Sequence, residues 1–342
     1  MKRYITCCLV LSLCFCCVSG CGFGSKANDT GAPVSSSQGE AQSLSITTVL
    51  PAGTAIVDKM PVMVDMLNEN GLFESALYPD SQLGSCTDML DRCFANDPIV
   101  NLCDPADFCD MTVPEASAME MPFLVQTYEQ LDKIYQSDWW KGIKEQVAEK
   151  GLMILSENGR TGDRHILTKT PVESLSDLKG LKIRVPTNVA FVAGFTALGC
   201  SPTPMAVSEI YTSLQQGVID GLEHPYADIL SRKTYEVAKY CVEQPHMRQP
   251  NMSVCGTGFY NGLSEEQKTL LKEAGDEAFN QANDYLEELD EQCKQELEKA
   301  GVTFTQINTD EFIEAAKGFF EYPDMQSWTP GLYDTLLEIV NS

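Results

Sequence analysis

Residues 182–222 contain two successive strand–helix–strand units, a pattern that restricts the possible folds more than any other feature of the sequence. Short extended segments alternate with segments that have helical spacing of apolar residues and end at glycine. The segments are the strand Lys182 to Val185, the helix Asn188 to Leu198, the extended Cys200 to Met205, the helix that Ser208 caps and Gly217 ends, and the strand Val218 to Leu222. Two prolines in the third segment predict an edge strand or a loop. This alternation predicts an α/β fold with mostly parallel strands.

The rest of the chain also alternates between predicted strands and helices. Strands are predicted at Leu44 to Leu50 and Ile99 to Leu102, and helices at Thr54 to Glu69 and Ser85 to Phe94. The longest helix signal runs from Ser264, which opens a capping box, to Ala300. At 1.5 Å per residue this helix would be roughly 55 Å long, which exceeds one small domain. The helix is therefore expected either to kink at Gly275 or to cross two lobes of the protein.

The first twenty residues are typical of an export signal and not of a folded domain. Lys2 and Arg3 precede an apolar run from Ile5 to Val18 that is too short for a permanent membrane span. The small residues before Cys21 resemble the lipobox of bacterial lipoproteins, which implies cleavage before Cys21 and lipid on its sulfur. A plain signal peptide cut nearby is the alternative. We predict a lipoprotein signal peptide at 1–20 and a flexible tether at 21–42.

The formal net charge is −25, and it becomes −27 when Lys2 and Arg3 leave with the signal. A chain this acidic repels nucleic acid and anionic membrane surfaces, so attachment to a membrane would depend on lipid. No later stretch of the sequence is long and apolar enough to span a bilayer. We expect the protein at the outer face of the bacterial cytoplasmic membrane or in the periplasm.

The cysteines and histidines argue against a metal site. Fourteen cysteines are present, six of them at or before Cys21. The eight that remain are Cys86, Cys93, Cys103, Cys109, Cys200, Cys241, Cys255 and Cys293, and both disulfides and buried free thiols are open readings. These eight form no CxxC pair, and the chain has only three histidines, so a zinc cluster is not expected.

The sequence also lacks the G-x-S-x-G, HExxH and phosphate-loop motifs, which argues against an enzyme and indicates no cofactor.

The stretch "DLKGLKIRVPTNVAFVAGFTALGCSPTPMAVSEIYTSLQQGVIDGLEHP", from Asp177 to Pro225, closely resembles the DctP-type substrate-binding proteins of TRAP transporters. The shared pattern is a strand with an arginine before Val-Pro, a helix, a Thr-Pro-Met segment, a Glu-hydrophobic-Tyr-x-x-Leu-Gln-x-Gly helix and a Val-hydrophobic-Asp-Gly strand. Weaker agreement includes "EMPFL", from Glu120 to Leu124, and the resemblance extends from about Leu44 to Thr305.

The resemblance implies a two-lobed, periplasmic-binding-protein-like α/β fold whose cleft closes on a small organic anion, usually a carboxylate. Each lobe is expected to be a mostly parallel sheet flanked by helices, with the long C-terminal helix bridging the two. Lobe I is expected to comprise 43–161 plus 250–289, and lobe II 162–249 plus 290–342. The closed receptor would deliver its ligand to the small and large TRAP membrane subunits, which are driven by an ion gradient.

The resemblance also implies roles for particular residues. Arg184 is expected to form the carboxylate salt bridge, and a second arginine from the turn "ENGRTGDRH" to assist it. Arg164 matches this second position better by spacing, and Arg160 stays an alternative. The remaining site expectations fall at strand ends or in the Thr-Pro-Met segment: Thr187, Met205, Val207, Glu223 and His224.

Two of these residues depart from the family pattern. His224 stands where the family often has an asparagine, and Val207 where many members have an aromatic residue. If His224 contacted the anion as an imidazolium, affinity would rise as the pH falls through about 6.5.

The chemistry of arginine supports the expectation for Arg184, because a guanidinium matches a carboxylate with two parallel N–H donors. Without the family pattern, an ordinary surface ion pair would be the simpler interpretation of Arg184.

Two other functions of the whole protein stay open. One is a receptor of an ATP-driven importer or a ligand sensor, and the other is a secreted enzyme on a related scaffold.

Overall fold

The structure is a computed structural model that describes residues 41–342. The predicted signal peptide, Cys21 and nearly all of the predicted tether lie outside the described residues. The strands are β1 (Gln42–Thr48), β2 (Phe73–Tyr78), β3 (Ile99–Cys103), β4 (Leu152–Thr168), β5 (Lys182–Val185), β6 (Ser201–Pro204), β7 (Gly221–His224), β8 (Tyr240–Val242), β9 (Met247–Gly256) and β10 (Thr303–Thr305).

The helices alternate with these strands through most of the described chain. They are α1 (Ala55–Lys59), α2 (Pro61–Glu69), α3 (Cys86–Phe94), α4 (Pro105–Cys109), α5 (Tyr128–Gln136), α6 (Asp138–Glu149), α7 (Val189–Ala197), α8 (Ile210–Gln216), α9 (Tyr226–Ser231), α10 (Thr257–Gly262), α11 (Glu265–Lys299), α12 (Thr309–Ala316) and α13 (Leu332–Asn341). The predicted helix Thr54 to Glu69 is divided into α1 and α2 at Met60. Pro61 follows Met60 and has no N–H to continue the α1 ladder. No helix within residues 41–342 is long and apolar enough to cross a membrane.

The strands form two sheets that share β4. The first has the order β2-β1-β3-β9-β4, and the second continues from β4 through β7 and β5 to β6, with β8 and β10 to the side. Five strand pairs are parallel and four are antiparallel, and every antiparallel pair includes β4 or β9. The predicted α/β class is confirmed, and the predicted edge position of β6 as well. The sheets are mixed because two long strands run against the parallel ones.

The predicted turn "ENGRTGDRH" is instead an extended part of β4, which is 17 residues long. The pairing of β4 with β9 shifts register three times between Ile154 and Gly162, and such irregularities bend a strand and increase its twist. The turn-like composition therefore marks bulges and not a chain reversal. Arg164 pairs with Met247 on β9, and His165 begins the pairing with β7 in the second sheet.

Helix α11 runs for 35 residues without an interruption at Gly275. At Gly275 the helix passes close to the strands beneath it. A Cβ atom there would lie 2.6 Å from Ser156 Oγ on β4. Farther along the helix, Lys294 forms an ion pair with Glu243 beyond β8. The glycine therefore permits close packing, and α11 contacts residues next to both sheets.

The eight cysteines that remain after Cys21 are all free thiols in the structure, which decides between the two readings that the sequence left open. Seven of them are buried, and Cys86 is half-buried. Burial raises the pKa of the Cys93 and Cys200 thiols to about 12, so both are protonated at neutral pH. These cysteines act as small apolar side chains of the interior.

Candidate functional site

A cavity of about 320 Å³ lies where strand ends of the two sheets face each other. From the second sheet come the ends of β5, β6 and β7, and from the first the ends of β1 and β3. Carboxyl ends of parallel strands are the usual ligand position in α/β folds. The volume is at the lower end of the range for small-molecule sites, roughly 300–1,000 Å³. Six of the predicted site residues line this cavity: Arg164, Arg184, Thr187, Met205, Val207 and His224.

Arg184 reaches the cavity from β5, a central strand that pairs with β6 and β7. Its side chain is buried, with 4% of the residue exposed. Nε and Nη2 both donate to the carbonyl oxygen of Met205, at 3.1 and 2.8 Å, and Nη1 lies 3.2 Å from Nε2 of His224. A guanidinium has five N–H groups, so these contacts leave one N–H on each terminal nitrogen. Such a pair can take a carboxylate bidentately.

The charge of Arg184 has no protein counterion within 4 Å among the described residues. Burial lowers the pKa of Arg184 to about 10, although the more distant Glu223 carboxylate opposes that effect. A lowering of this size corresponds to roughly 3 kcal/mol against the charged form. A buried cation that the protein itself leaves unneutralised is suited to an anionic ligand.

His224 ends β7 and forms part of the cavity wall beside Arg184. Burial lowers the pKa of His224 well below its usual value, and the positive charges of Arg164 and Arg184 lower it further. The imidazole is therefore neutral and accepts from Arg184 Nη1 at Nε2, which assigns its proton to Nδ1. Nδ1 has no hydrogen-bond partner within residues 41–342. In the protein without ligand, His224 is therefore a neutral donor at Nδ1 and not an imidazolium.

Arg164 is equally buried but, unlike Arg184, it has a protein counterion. It forms an ion pair with Glu223 through Nε and Nη2, and Nη1 donates to Gln249 at 2.7 Å. Burial alone would lower the pKa of Arg164, but the Glu223 carboxylate raises it overall. Burial likewise would raise the pKa of Glu223, but Arg164 and His246 hold it below its usual range.

Glu223 does not line the cavity, unlike the other predicted residues of the described chain. It is fully buried behind the wall, next to Arg164 and with His246 Nε2 3.4 Å from its Oε2. The expected role of Glu223 as a direct contact has no geometric support. Its position is that of a residue that orients Arg164.

Arg160, the alternative second arginine, is outside the cavity. Its Nη2 lies 3.0 Å from Asp132 on α5, and its guanidinium stacks over the Tyr128 ring at 4.6 Å. The guanidinium that faces the cavity from β4 is that of Arg164.

The other three predicted residues lie around Arg184. Thr187 follows β5 and is exposed, while the half-buried Met205 and Val207 follow β6. Met205 has a second function, because its carbonyl oxygen fixes the guanidinium of Arg184. Val207 begins a short 3₁₀ segment, Val207–Glu209, before α8.

Polar side chains of the cavity that were not predicted from the sequence include Asp104, Asp107, Asp228, Arg232, Gln249 and Asn251. Asp104 directly follows β3 and caps α4, so the rule of strand ends could have identified it. Gln249 lies on β9 between Pro245 and Pro250, and prolines argue against a strand. Gln249 donates to Asp104 at 2.6 Å and accepts from Arg164, so it connects the end of β3 with β4 in the cavity wall.

No cluster of metal-ligating side chains occurs in the described part of the chain. The arrangement consists of one unpaired guanidinium, neutral donors and carboxylates around a small cavity. It can bind and orient a small anion, and its residues suggest no covalent step.

The comparisons with known proteins agree on one family. The sequence model of "DctP: Bacterial extracellular solute-binding protein, family 7" matches residues 46–322. A solute-binding protein of Roseobacter denitrificans is 30% identical over 72% of this chain and 76% of its own length. The sialic acid-binding periplasmic protein of Vibrio cholerae is 26% identical over 81% of this chain and 87% of its own length.

A solved structure gives the same result. The TRAP periplasmic solute-binding protein of Actinobacillus succinogenes, with bound L-galactonate, has a TM-score of 0.83 and 31% identity. The match covers 88% of this chain and 99% of that one.

Proposed function

Since the chain belongs to the bacterial extracellular solute-binding proteins of family 7, we propose that it captures a small organic carboxylate and presents it to a TRAP membrane carrier. The observation that supports this proposal best is Arg184, a buried guanidinium at the cavity with no protein carboxylate to neutralise it. A ligand carboxylate supplies the missing charge and takes the two free N–H groups. L-Galactonate and sialic acid, the ligands of two similar proteins, are both carboxylates.

The other cavity residues have supporting roles in this proposal. His224 donates from Nδ1 to the ligand, Arg164 lines the wall as a neutralised ion pair with Glu223, and Thr187, Met205 and Val207 shape the wall. Glu223 holds Arg164 in position. The proposal requires no catalytic residue, cofactor or metal, in keeping with a family of binding proteins.

The proposed lobes meet at this cavity and close on the ligand. Lobe I is 43–161 plus 250–289, and lobe II is 162–249 plus 290–342, apart from the last helix. We place α13 with lobe I because it packs on α5, where Lys133 Nζ donates to the carbonyl oxygen of Val340 at 3.2 Å. Asn188 Nδ2 donates to Asp107 across the cleft at 3.0 Å, and Val189 N–H to Asp110 at 2.7 Å. Such contacts would favour the closed form, which the carrier recognises by differential affinity.

The site proposal is tested by a thermal-shift screen of small carboxylates, each paired with its neutral primary amide. A ligand that binds only the native state raises the unfolding temperature. We expect at least one acid to raise it while its amide does not. Equal shifts for an acid and its amide would contradict the role of Arg184, and turnover of a bound acid would instead favour an enzyme.

Attachment through lipid on Cys21 is part of the same proposal and concerns residues outside the described part of the chain. The small residues before Cys21 support it. A single chain gives only marginal membrane binding, whereas two acyl chains anchor stably. We expect the wild-type protein in the membrane fraction and Cys21→Ala in the soluble fraction. Membrane retention of the variant would overturn the anchor without affecting the ligand site.

A further inference from the structure

The charges that line the cavity are equal in number, but they do not all form ion pairs with one another. Three cationic side chains line it, Arg164, Arg184 and Arg232, and three carboxylates, Asp104, Asp107 and Asp228. Arg164 is neutralised by Glu223 behind the wall. Arg232 is neutralised by Asp228, at 3.3 Å, and by Asp80, at 3.2 Å. This pairing leaves one cation, Arg184, and two carboxylates, Asp104 and Asp107.

Neither Asp104 nor Asp107 forms an ion pair with any cation of the described chain. Asp104 accepts from the N–H of Ala106, at 3.0 Å, and from Gln249. Asp107 is half-buried on α4, and Oδ1 accepts from Asn188 at 3.0 Å. Both carboxylates are therefore solvated by neutral donors only, and both lie in the lobe that faces Arg184.

A third acceptor in the cavity wall lacks a donor. Asp228 is 3% exposed, and its Oδ1 accepts from Arg232, but its Oδ2 has no hydrogen-bond partner within residues 41–342. Buried carboxylate oxygens are rarely left unpaired. This observation is independent of Asp104 and Asp107, and it also indicates a ligand that brings hydrogen-bond donors.

We infer that Asp107 is a specificity-determining residue that accepts a hydrogen bond from a hydroxyl or ammonium group of the ligand and excludes ligands with a second carboxylate. The inference rests on the proposed function, in which Arg184 takes the first carboxylate. A cavity of about 320 Å³ brings every part of a bound molecule near its walls. A second carboxylate would meet Asp104 and Asp107 in a poorly solvated space, where repulsion between like charges is strong.

The environment of Asp107 supports this assignment. Burial and the nearby Asp104 carboxylate together raise the pKa of Asp107 to about 6. An ammonium or hydroxyl donor would relieve both effects, whereas a ligand carboxylate would add to them. The groups that act on Asp107 are Asp104, Asp110 and Glu120, the thiols of Cys86, Cys103 and Cys109, the amide of Asn188, and Arg184.

The test uses acids that differ only at the end remote from the first carboxylate. D-Gluconate ends in a hydroxymethyl group, D-glucarate in a carboxylate and 6-amino-6-deoxy-D-gluconate in an ammonium. L-Galactonate with galactarate, and 4-hydroxybutyrate with succinate, form two further pairs. Calorimetric titration at pH 7.5 measures each dissociation constant. We expect each diacid that binds to bind at least tenfold more weakly than its monoacid.

Asp107→Asn removes the charge but keeps an oxygen that can accept from Asn188. In this variant we expect the ratio of diacid to monoacid dissociation constants to fall about tenfold. Asp110→Asn is the matched control. It removes a carboxylate from the end of the same helix, one with a pKa also raised to about 6 by burial, but Asp110 does not line the cavity. Asp110 also accepts from the N–H of Val189 across the cleft, but this contact acts alike on both acids of a pair, so the ratio in Asp110→Asn should equal that of the wild type.

The wild-type protein allows the same test by pH, should Asp107→Asn fail to fold. Protonation of Asp107 below about 6 removes its charge while the carboxylates of the sugar acids stay ionised, so the ratio for the gluconate and galactonate pairs should fall between pH 7.5 and pH 5. If the amino acid derivative binds more tightly than gluconate, the donor is an ammonium, and the reverse order makes it a hydroxyl.

Equal binding of monoacids and diacids by the wild type overturns the inference. So does an unchanged ratio in Asp107→Asn, a fall of the same size in Asp110→Asn, or the absence of binding by every monoacid. None of these outcomes removes the proposed function if another carboxylate binds in the thermal-shift screen. Failure of all carboxylates in that screen would remove both.

Discussion

Arg184 and Arg164 are two buried arginines of one cavity with different counterions. Arg164 is neutralised within the protein by Glu223, while Arg184 receives only a carbonyl and an imidazole. Strand alternation places Arg184 opposite the core-facing Ile183 and Val185, so the strand holds the charge without exposing it to water. Arg164 therefore has a structural role, and Arg184 is suited to a ligand.

Removing the counterion of Arg164 should destabilise the fold strongly. Glu223→Gln leaves a buried, unneutralised guanidinium, and breaking a buried pair in this way costs roughly 3–5 kcal/mol of unfolding free energy. Glu314→Gln is the control, because it breaks an exposed pair with Lys317, whose side chains are 74% and 46% exposed. That substitution should cost less than about 1 kcal/mol. Urea unfolding followed by circular dichroism measures both, and equal costs would contradict the structural role of Glu223.

The residues of the site could be predicted from the sequence to different degrees, for physical reasons. Arg184, Thr187 and His224 lie at the ends of short strands whose limits glycine and proline mark clearly, so their convergence was predictable. Partners that come from distant segments were not, because no local pattern indicates that Gln249 on β9 meets Arg164 on β4. The neutral state of His224 also depends on burial and on two arginines, which sequence alone does not show.

Among the elements, β4 and α11 connect the two sheets. Strand β4 takes part in both sheets, and α11 packs along it. The alternating pattern predicted β1, β3, β5, β6 and β7, whose limits turn signals mark, but it did not predict β2, β8 and β10. It failed for β4 because Gly159 and Gly162 within a bulged strand have the composition of a turn. Amino-acid composition alone distinguishes a β-bulge from a turn poorly, because both contain glycine.

The close approach of α11 to β4 can be tested at Gly275. A methyl group there would lie 2.6 Å from Ser156 Oγ, so Gly275→Ala should lower the unfolding free energy by about 1–3 kcal/mol despite the better helix propensity of alanine. Gly142→Ala in α6 is the matched control. A methyl group at Gly142 meets no atom within 4 Å, and this variant should be neutral or up to about 1 kcal/mol more stable.

A rescue variant identifies the atom responsible. Ser156→Ala removes Oγ, and the next contact of the added methyl, with Ser156 Cβ at 3.5 Å, is an ordinary packing distance. The double variant Ser156→Ala/Gly275→Ala should therefore recover most of the lost stability. If Gly275→Ala alone is as stable as Gly142→Ala, the close packing of α11 on β4 is not what limits this position.

At the scale of the whole molecule, ligand capture and lobe closure are one equilibrium. The unneutralised charge of Arg184 disfavours a dry, closed cleft, and a ligand carboxylate removes that cost. The cross-cleft contacts at Asp107 and Asp110 then add to closure. Under the proposed function, the carrier would distinguish the loaded receptor from the empty one by the greater stability of its closed form.

The central claim is that Arg184 binds the carboxylate of the ligand. Calorimetric titration of the acid found in the screen measures this directly in the wild type, in Arg184→Gln and in Arg160→Gln. Truncating one partner of a buried charge pair costs roughly 2–5 kcal/mol, so affinity for Arg184→Gln should fall by about 30-fold or more. Arg160→Gln should bind like the wild type, because Arg160 pairs with Asp132 outside the cavity. A folded Arg184→Gln variant with wild-type affinity would contradict the account.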